Sequence, residues 1–537
     1  MQWPDMRLKT ALILGGVLLL FCGFKLVIGA TVCSSFFRVT LDARFDRAEC
    51  VQVYYGLRPV FDEKHVRGSA LFPAGERQST SVTINNHVAR YLRLDLGEHP
   101  GRVQLYGLHL TSFFFPERHF SAAQIAAAFA PGPGVDMQLA GDHVAISSST
   151  EDPYLVVQGP LTHQGLFYSW LLPLLMAMAG IVLLSSFSPS SFPPIADLLG
   201  QKRSSAGLHF AVLDGIRGAA ALLVLAEHIG LVPGGVGVVG VLLFFALSGF
   251  LLAIPFARNP ERAITLEYMR AYMRRRLLRI IPMYYTVISI LFLFRYKNPD
   301  MIRHYLFLQG DAYLWTVPQE MFFYVLLPFI VVLVALAMKI QKWLGPLLLL
   351  AGLVVMNHLS HQGLATLYGN GEGRPALIGV FMSGMFFSWL YQWLREQPFW
   401  QGRYGTCCRR CLGLAGLAVL LLLLILGFQL APGLGSVDIY SNYGVNGFLA
   451  AFVLFSAVAS GPSLLVAVMS WLPFRAVGIV SFSFYLLHPS LITLCDELAG
   501  YYGNWSMGVV TRFLAVGLLS YAFSAVTYAY VERPFMK

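Results

Sequence analysis

Charge is what this sequence has least of: only 12% of its 537 residues are Asp, Glu, Lys or Arg. Soluble globular chains carry about a quarter, so this one lacks the surface that would keep it in water, and a soluble enzyme is excluded. Acidic residues are the scarcer sign, 28 against 38 Lys+Arg. That basic surplus is too thin to mark a nucleic-acid binder. Cysteine is scarce as well, seven in all, which excludes a disulfide-dense secreted scaffold. What the chain has in abundance is apolar side chain, 56% hydrophobic and 14% aromatic, with mean hydropathy +0.63. That argues against disorder and leaves a polytopic membrane protein.

A hydrocarbon core about 30 Å thick takes roughly 20 apolar residues per helical span. Residues 10–30 meet this, with Arg7 and Lys9 just ahead. Gly29 and Ala30 resemble the end of a signal peptide, but the run is long and interrupted by Lys25. The expectation is an uncleaved anchor over 1–30 with a cytoplasmic N-terminus. Residues 31–163 differ in character, with 11 Lys+Arg against 13 Asp+Glu and alternating stretches such as Ser81-Val82-Thr83-Ile84 and Arg102-Val103-Gln104-Leu105. A period of two broken by Gly, Pro and Asn reads as short strands, and about 130 residues suffice for a sandwich core. Following an inward-anchored helix, this domain is expected outside the cytoplasm. Cys33 and Cys50 both fall in it and either pair or stay free.

A second span is expected at 164–187 and a Ser/Pro-rich cytoplasmic linker at 188–207. Ten apolar segments then fill 208–537, at about 211–229, 236–256, 280–295, 320–338, 343–357, 376–394, 412–430, 444–460, 476–495 and 508–530. Lys and Arg should collect in every second loop. Alternate loops do hold them: Arg258 to Arg279 contains seven Arg and two Glu, the next has Lys339 and Lys342, and Arg395 to Arg410 contains four Arg and one Glu. The expected fold is therefore a polytopic α-helical membrane protein of about 12 transmembrane helices, two plus ten. It carries an inserted extracytoplasmic all-β sandwich of jelly-roll type, and both termini are cytoplasmic. In a bacterial cell this is an inner-membrane, multi-pass protein.

An ionisable group inside a span is costly and is a functional candidate by default. The segment Leu213-Asp214-Gly215-Ile216-Arg217-Gly218, continuing to Ala226-Glu227-His228, holds four of them. At about 100° per residue, Arg217 and His228 share one helix face about 16 Å apart along the axis. Asp214 and Arg217, at i and i+3, also suit a structural ion pair. The run Arg274-Arg275-Arg276-Leu277-Leu278-Arg279 puts Arg275 and Arg276 each one turn from Arg279. Such a guanidinium cluster fits phosphate, or else sets topology and meets anionic headgroups. Glu320, in Trp315-Thr316-Val317-Pro318-Gln319-Glu320, stands at the membrane boundary, and His488 lies late in another span. Tyr530-Val531-Glu532-Arg533-Pro534-Phe535 suits a capping and anchoring role. Cys407, Cys408 and Cys411 lack a fourth nearby metal ligand.

Together these segments resemble the membrane-bound acyltransferase family three, which O-acylates cell-surface glycans. The resemblance covers 208–537 and rests on six stretches in the family's order: LDGIRG with His228 eleven residues beyond Arg217, FFALSGFLL at 244–252, RRRLLRIIP at 274–282, WTVPQEMFFY at 315–324, SFSFYLLHP at 481–489 and YVERPF at 530–535. Met321 departs from it, since many relatives carry a second acidic residue there. The outer domain is similar, less specifically, to a β-sandwich module found beside bacterial enzymes that build or modify glycans.

The resemblance implies acyl transfer from cytoplasmic acyl-CoA, acetyl-CoA by default, to a hydroxyl of a cell-envelope polysaccharide or a lipid-linked glycan on the outer side. It implies catalytic roles for His228, Glu320 and Asp214, with Arg217, Arg275, Arg276 and Arg279 holding the donor and Trp315, Tyr485 and His488 meeting the acceptor. An imidazole with an unperturbed pKa near 6.5 suits a general base or a transient acyl carrier. No metal and no nucleic acid are called for, and membrane lipids are the surroundings. The competing expectation is a transporter or flippase for a glycan or lipid-linked precursor. No internal repeat of the kind many transporters show is visible.

Overall fold

The computed structural model describes residues 38–56, 61, 66–83, 91–111, 117–161, 171–185, 193–200, 211–294, 301–310, 312–362, 366–367, 374–429, 442–502 and 508–536. The expected anchor at 1–30, and Cys33 with its possible bond to Cys50, lie outside these residues. The described chain divides into two units.

The first unit holds the β domain. One sheet has the order β4-β1-β6-β10-β9, with β7 also paired to β6; a five-stranded sheet runs β3-β2-β5-β11-β8. The strands are β1 Arg38–Phe45, β2 Glu49–Gly56, β3 Val66–Phe72, β4 Arg77–Thr83, β5 Tyr91–Asp95, β6 Arg102–Thr111, β7 Arg118–Ser121, β8 Phe129–Pro131, β9 Val135–Ala140, β10 His143–Ser148 and β11 Tyr154–Val157. Every pairing between them is antiparallel. Alternate residues of both sheets enter one core: Val39, Leu41 and Phe45 from β1 meet Val51, Val53 and Tyr55 from β2 and Leu92 and Leu94 from β5. The period-two reading holds because each strand has one wet and one dry face. Helix Leu172–Ser185 lies within the expected second span.

Among the described residues each of the ten expected apolar segments contains a helix. The helices are α1 Ala211–Ile229, α2 Val236–Arg258, α3 Leu266–Phe294, α4 Thr316–Ile340, α5 Leu344–His361, α6 Ile378–Glu396, α7 Arg403–Gly427, α8 Tyr443–Ala459, α9 Ser481–Tyr502 and α10 Val509–Thr527. All but the ends of α3 and α9 fall in the second unit. Pro193–Gly200, expected as linker, is also helical, with Pro193 and Pro194 in the first turn where a missing N–H costs nothing.

Among the described residues five helices are long and apolar enough to cross a membrane: Val236–Arg258, Ala312–Ile340, Leu344–His361, Tyr404–Gly427 and Val509–Phe535. A sixth is gained if Leu472–Ile479 and Ser481–Asp496, bent by 85° to each other, are counted as one broken span. α1 falls short through its charges and α8 through its length of 17 residues. Val325, Phe329, Leu333 and Leu336 form an exposed apolar stripe along α4, as Val510, Leu514 and Leu518 do along α10. Such stripes are liabilities in water and ordinary in lipid.

The glycines of LDGIRG work through close approach. A Cβ on Gly218 would stand 1.8 Å from the Phe474 carbonyl oxygen, and one on Gly478 would stand 1.8 Å from that of Asp214. Only hydrogen fits at either place, so α1 packs backbone against backbone on the helix Leu472–Ile479 that leads into α9.

Candidate active site

Five helices of the second unit bring their polar residues to one cavity of about 840 Å³, counted with its open mouth. α1 contributes Arg217, α2 Ser248, α3 Arg276 and Arg279, α4 Thr316, Glu320 and Tyr324, and α9 Ser481 and Tyr485; Phe244 and Phe245 add apolar wall. Three guanidiniums face one carboxylate, so the lining has cations to spare for an anion. Arg276 Nε is buried and has no hydrogen-bond partner among the described residues. A buried donor left unpaired carries a cost that a bound acceptor would remove.

Glu320 is held from two sides. Ser248 Oγ donates to its Oε1 at 2.9 Å, and the Tyr324 hydroxyl, one turn further along α4, donates to the same oxygen. Tyr485 is fixed in turn, donating to the Tyr313 carbonyl at 2.7 Å and accepting from Thr316 Oγ1 at 3.1 Å.

One turn beyond Tyr485, His488 is fully buried. Its Nδ1 lies 3.1 Å from the Phe484 carbonyl and its Nε2 2.8 Å from Nδ1 of His228. These partners assign the tautomers of a neutral pair. A carbonyl only accepts, so His488 Nδ1 carries the hydrogen and His488 Nε2 is an acceptor. His228 Nδ1 must then donate, and the free lone pair of His228 sits on Nε2. The two rings stack with centroids 5.0 Å apart.

Of the residues singled out in the sequence, the structure gathers Arg217, Arg276, Arg279, Glu320 and Tyr485 around the cavity. His228 and His488 form their own pair, joined to the cavity wall through Tyr485 on α9. Asp214 does not line the cavity and stands 3.8 Å from Arg217, in ion-pair position. Arg275 is exposed, its guanidinium 5.8 Å from the Tyr268 ring centroid; on α3 it is turned about 100° from Arg276. Trp315 packs edge-on to Phe245 with centroids 6.2 Å apart. Glu227, the fourth ionisable group of α1, accepts from the backbone N–H groups of Gly235 and Gly237 and so caps α2. Glu532 is buried and accepts from the N–H and hydroxyl of Ser483, while Arg533 and Tyr528 both bond Asp197. These contacts give YVERPF its anchoring role. Ser248 and Tyr324 lie inside quoted motifs without having been singled out. The i, i+4 spacing of Glu320 and Tyr324 was the available signal.

A family model described as "Acyltransferase domain" matches residues 210–529. Among curated relatives, the peptidoglycan O-acetyltransferase OatA of Listeria monocytogenes is 22% identical over 369 residues, which is 60% of this chain and 55% of that protein. The O-acetyltransferase OatA of Staphylococcus aureus is 22% identical over 363 residues, 60% of this chain and 57% of its own. The chain thus spans little more than half the length of the curated relatives it matches.

Proposed function

The chain belongs to acyltransferase family three, and from that membership we propose that it moves an acyl group, acetyl by default, from cytoplasmic acyl-CoA to a hydroxyl of a cell-envelope glycan on the outer side of the membrane. The observation that carries this reading is the cavity where Arg217, Arg276 and Arg279 converge, with a buried Arg276 donor still unpaired among the described residues. Bidentate guanidinium contacts to the CoA phosphates account for that surplus of positive charge.

His228 Nε2 then takes the proton of the acceptor hydroxyl as its oxygen attacks the acyl carbonyl. The carbon–sulfur bond breaks, and the imidazolium returns the proton to the leaving thiolate. If the acyl group pauses on the protein, the same lone pair is the nucleophile, so both roles need the tautomer that His488 enforces. Glu320, held by Ser248 and Tyr324, orients the sugar hydroxyl. Asp214 acts through Arg217, and the exposed Arg275 meets anionic headgroups. Trp315 shapes the acceptor side.

The reading carries a topology with it: about 12 spans of a bacterial inner membrane, two plus ten, residues 208–537 as the acyltransferase part, the sandwich of 31–163 outside the cytoplasm, and both termini cytoplasmic. The alternating basic loops and the apolar stripes on α4 and α10 support this. The test is incubation of the purified protein with labelled acetyl-CoA and a crude envelope glycan. Transfer of label with release of CoA is expected. Uptake of glycan into vesicles with no label transferred would overturn the enzyme in favour of a transporter.

A further inference from the structure

The β domain carries a constellation that acyl transfer does not use. In β6 the alternation changes phase: Val103 and Leu105 point into the core, and so do Leu108 and Leu110. The cause is a bulge. Opposite β1, Asp42 pairs with Gly107 and Ala43 with Leu105, which leaves Tyr106 as the extra residue. Without that insertion His109 would share the parity of Val103 and Leu105 and face the core; with it, His109 faces out. Across the ladder His109 pairs directly with His119 of β7. Continuing that register one pair further on the same face sets Thr111 against Glu117.

The side chains agree with the backbone. The two imidazoles meet with Nδ1 atoms 2.7 Å apart. Thr111 Oγ1 donates to Glu117 Oε1 at 3.0 Å, and Glu117 Oε2 lies 3.8 Å from His119 Nε2. Ligand atoms of His109, Glu117 and His119 all fall within 4.8 Å of one another. His109 is half-buried, whereas Glu117 and His119 are open to solvent.

We propose that His109, His119 and Glu117 form a binding site for a divalent transition-metal cation of the zinc type on the outer face of the β6–β7 hairpin. Two imidazole nitrogens and one carboxylate are a donor set for such ions, unlike the all-oxygen cages that calcium and magnesium take. Zinc–nitrogen bonds of about 2.0–2.1 Å in tetrahedral geometry put two nitrogens roughly 3.3 Å apart. The imidazoles therefore need to part by about half an ångström, within rotamer reach on an exposed face. Thr111 steers the carboxylate, as partners of metal ligands commonly do, and the exposed side leaves room for water or a ligand oxygen to complete the shell. The cation would clamp β7, a strand of four residues that among the described residues pairs with β6 alone, adding stability through binding to the folded form alone.

The test uses the full chain in detergent, stripped with chelator and titrated with Co²⁺ and Zn²⁺. The wild type is expected to bind one more equivalent than the His109→Ala/His119→Ala double variant. The extra Co²⁺ should show visible d–d bands without the thiolate charge-transfer band that Cys407, Cys408 and Cys411 would give. Glu117→Gln should weaken that equivalent at least tenfold, and Cys→Ser at all three thiols should leave it unchanged. Equal stoichiometry and affinity in wild type and double variant, with both giving the same circular dichroism, would overturn the site. So would loss of the extra equivalent on removing the thiols.

Discussion

At the scale of single residues, the chemistry of His228 turns on which of its nitrogens is free. The sequence shows His228 and Arg217 on one face, because helical periodicity is a local property. It also quotes His488 within SFSFYLLHP, yet 260 positions of chain separate the two histidines, and nothing local announces that they bond. The partner of a long-range hydrogen bond is a tertiary fact. His488→Ala leaves the His228 Nδ1 donor without its acceptor, so kcat should fall about tenfold, the worth of one hydrogen bond near 1.4 kcal/mol, with the KM for acyl-CoA unchanged. His488→Gln, which restores an acceptor, should recover part of that loss. Steady-state kinetics on the three proteins separates this from general damage to α9, which would move KM as well.

At the scale of elements, the ten helices of 208–537 follow the ten apolar runs in the sequence because burial in lipid or protein demands a continuous apolar segment. What composition missed is the break between Leu472–Ile479 and α9 and the tight seam it makes with α1. Gly218→Val would drive a branched side chain into the Phe474 carbonyl. Overpacking of this kind costs about 1–3 kcal/mol or more, so the variant should melt at lower temperature in detergent than Gly218→Ala, and both below the wild type. The arginines of α3 were legible as a cluster, but which of them turn inward depends on the neighbours of the helix. Arg276→Ala/Arg279→Ala should raise the KM or Kd for acyl-CoA at least tenfold, since charged hydrogen bonds contribute about 1.5–3 kcal/mol each. Arg275→Ala should change it little. Binding of a CoA analogue by calorimetry checks both, and unchanged affinity in the double variant would return the cluster to a topological role.

At the scale of the whole molecule, the scarcity of charge in the sequence divides into two regimes. The β domain is nearly balanced in sign, while the helical unit holds the basic surplus and spends most of it in alternate loops. Arg217, Arg276, Arg279 and Glu320 share a cavity. The division into a β region and a helical region, and the charged residues that line the cavity, were readable because each leaves a periodic or compositional trace. The Glu320–Ser248–Tyr324 and His228–His488 contacts were not, since they join distant segments. The central claim is that His228 carries the acyl transfer. Its most direct test is mass spectrometry of envelope glycans from cells expressing either the wild type or His228→Ala at equal membrane levels. An acyl mass increment is expected with the wild type, reduced about 10²-fold or more with the variant. Equal acylation in the two would contradict the claim.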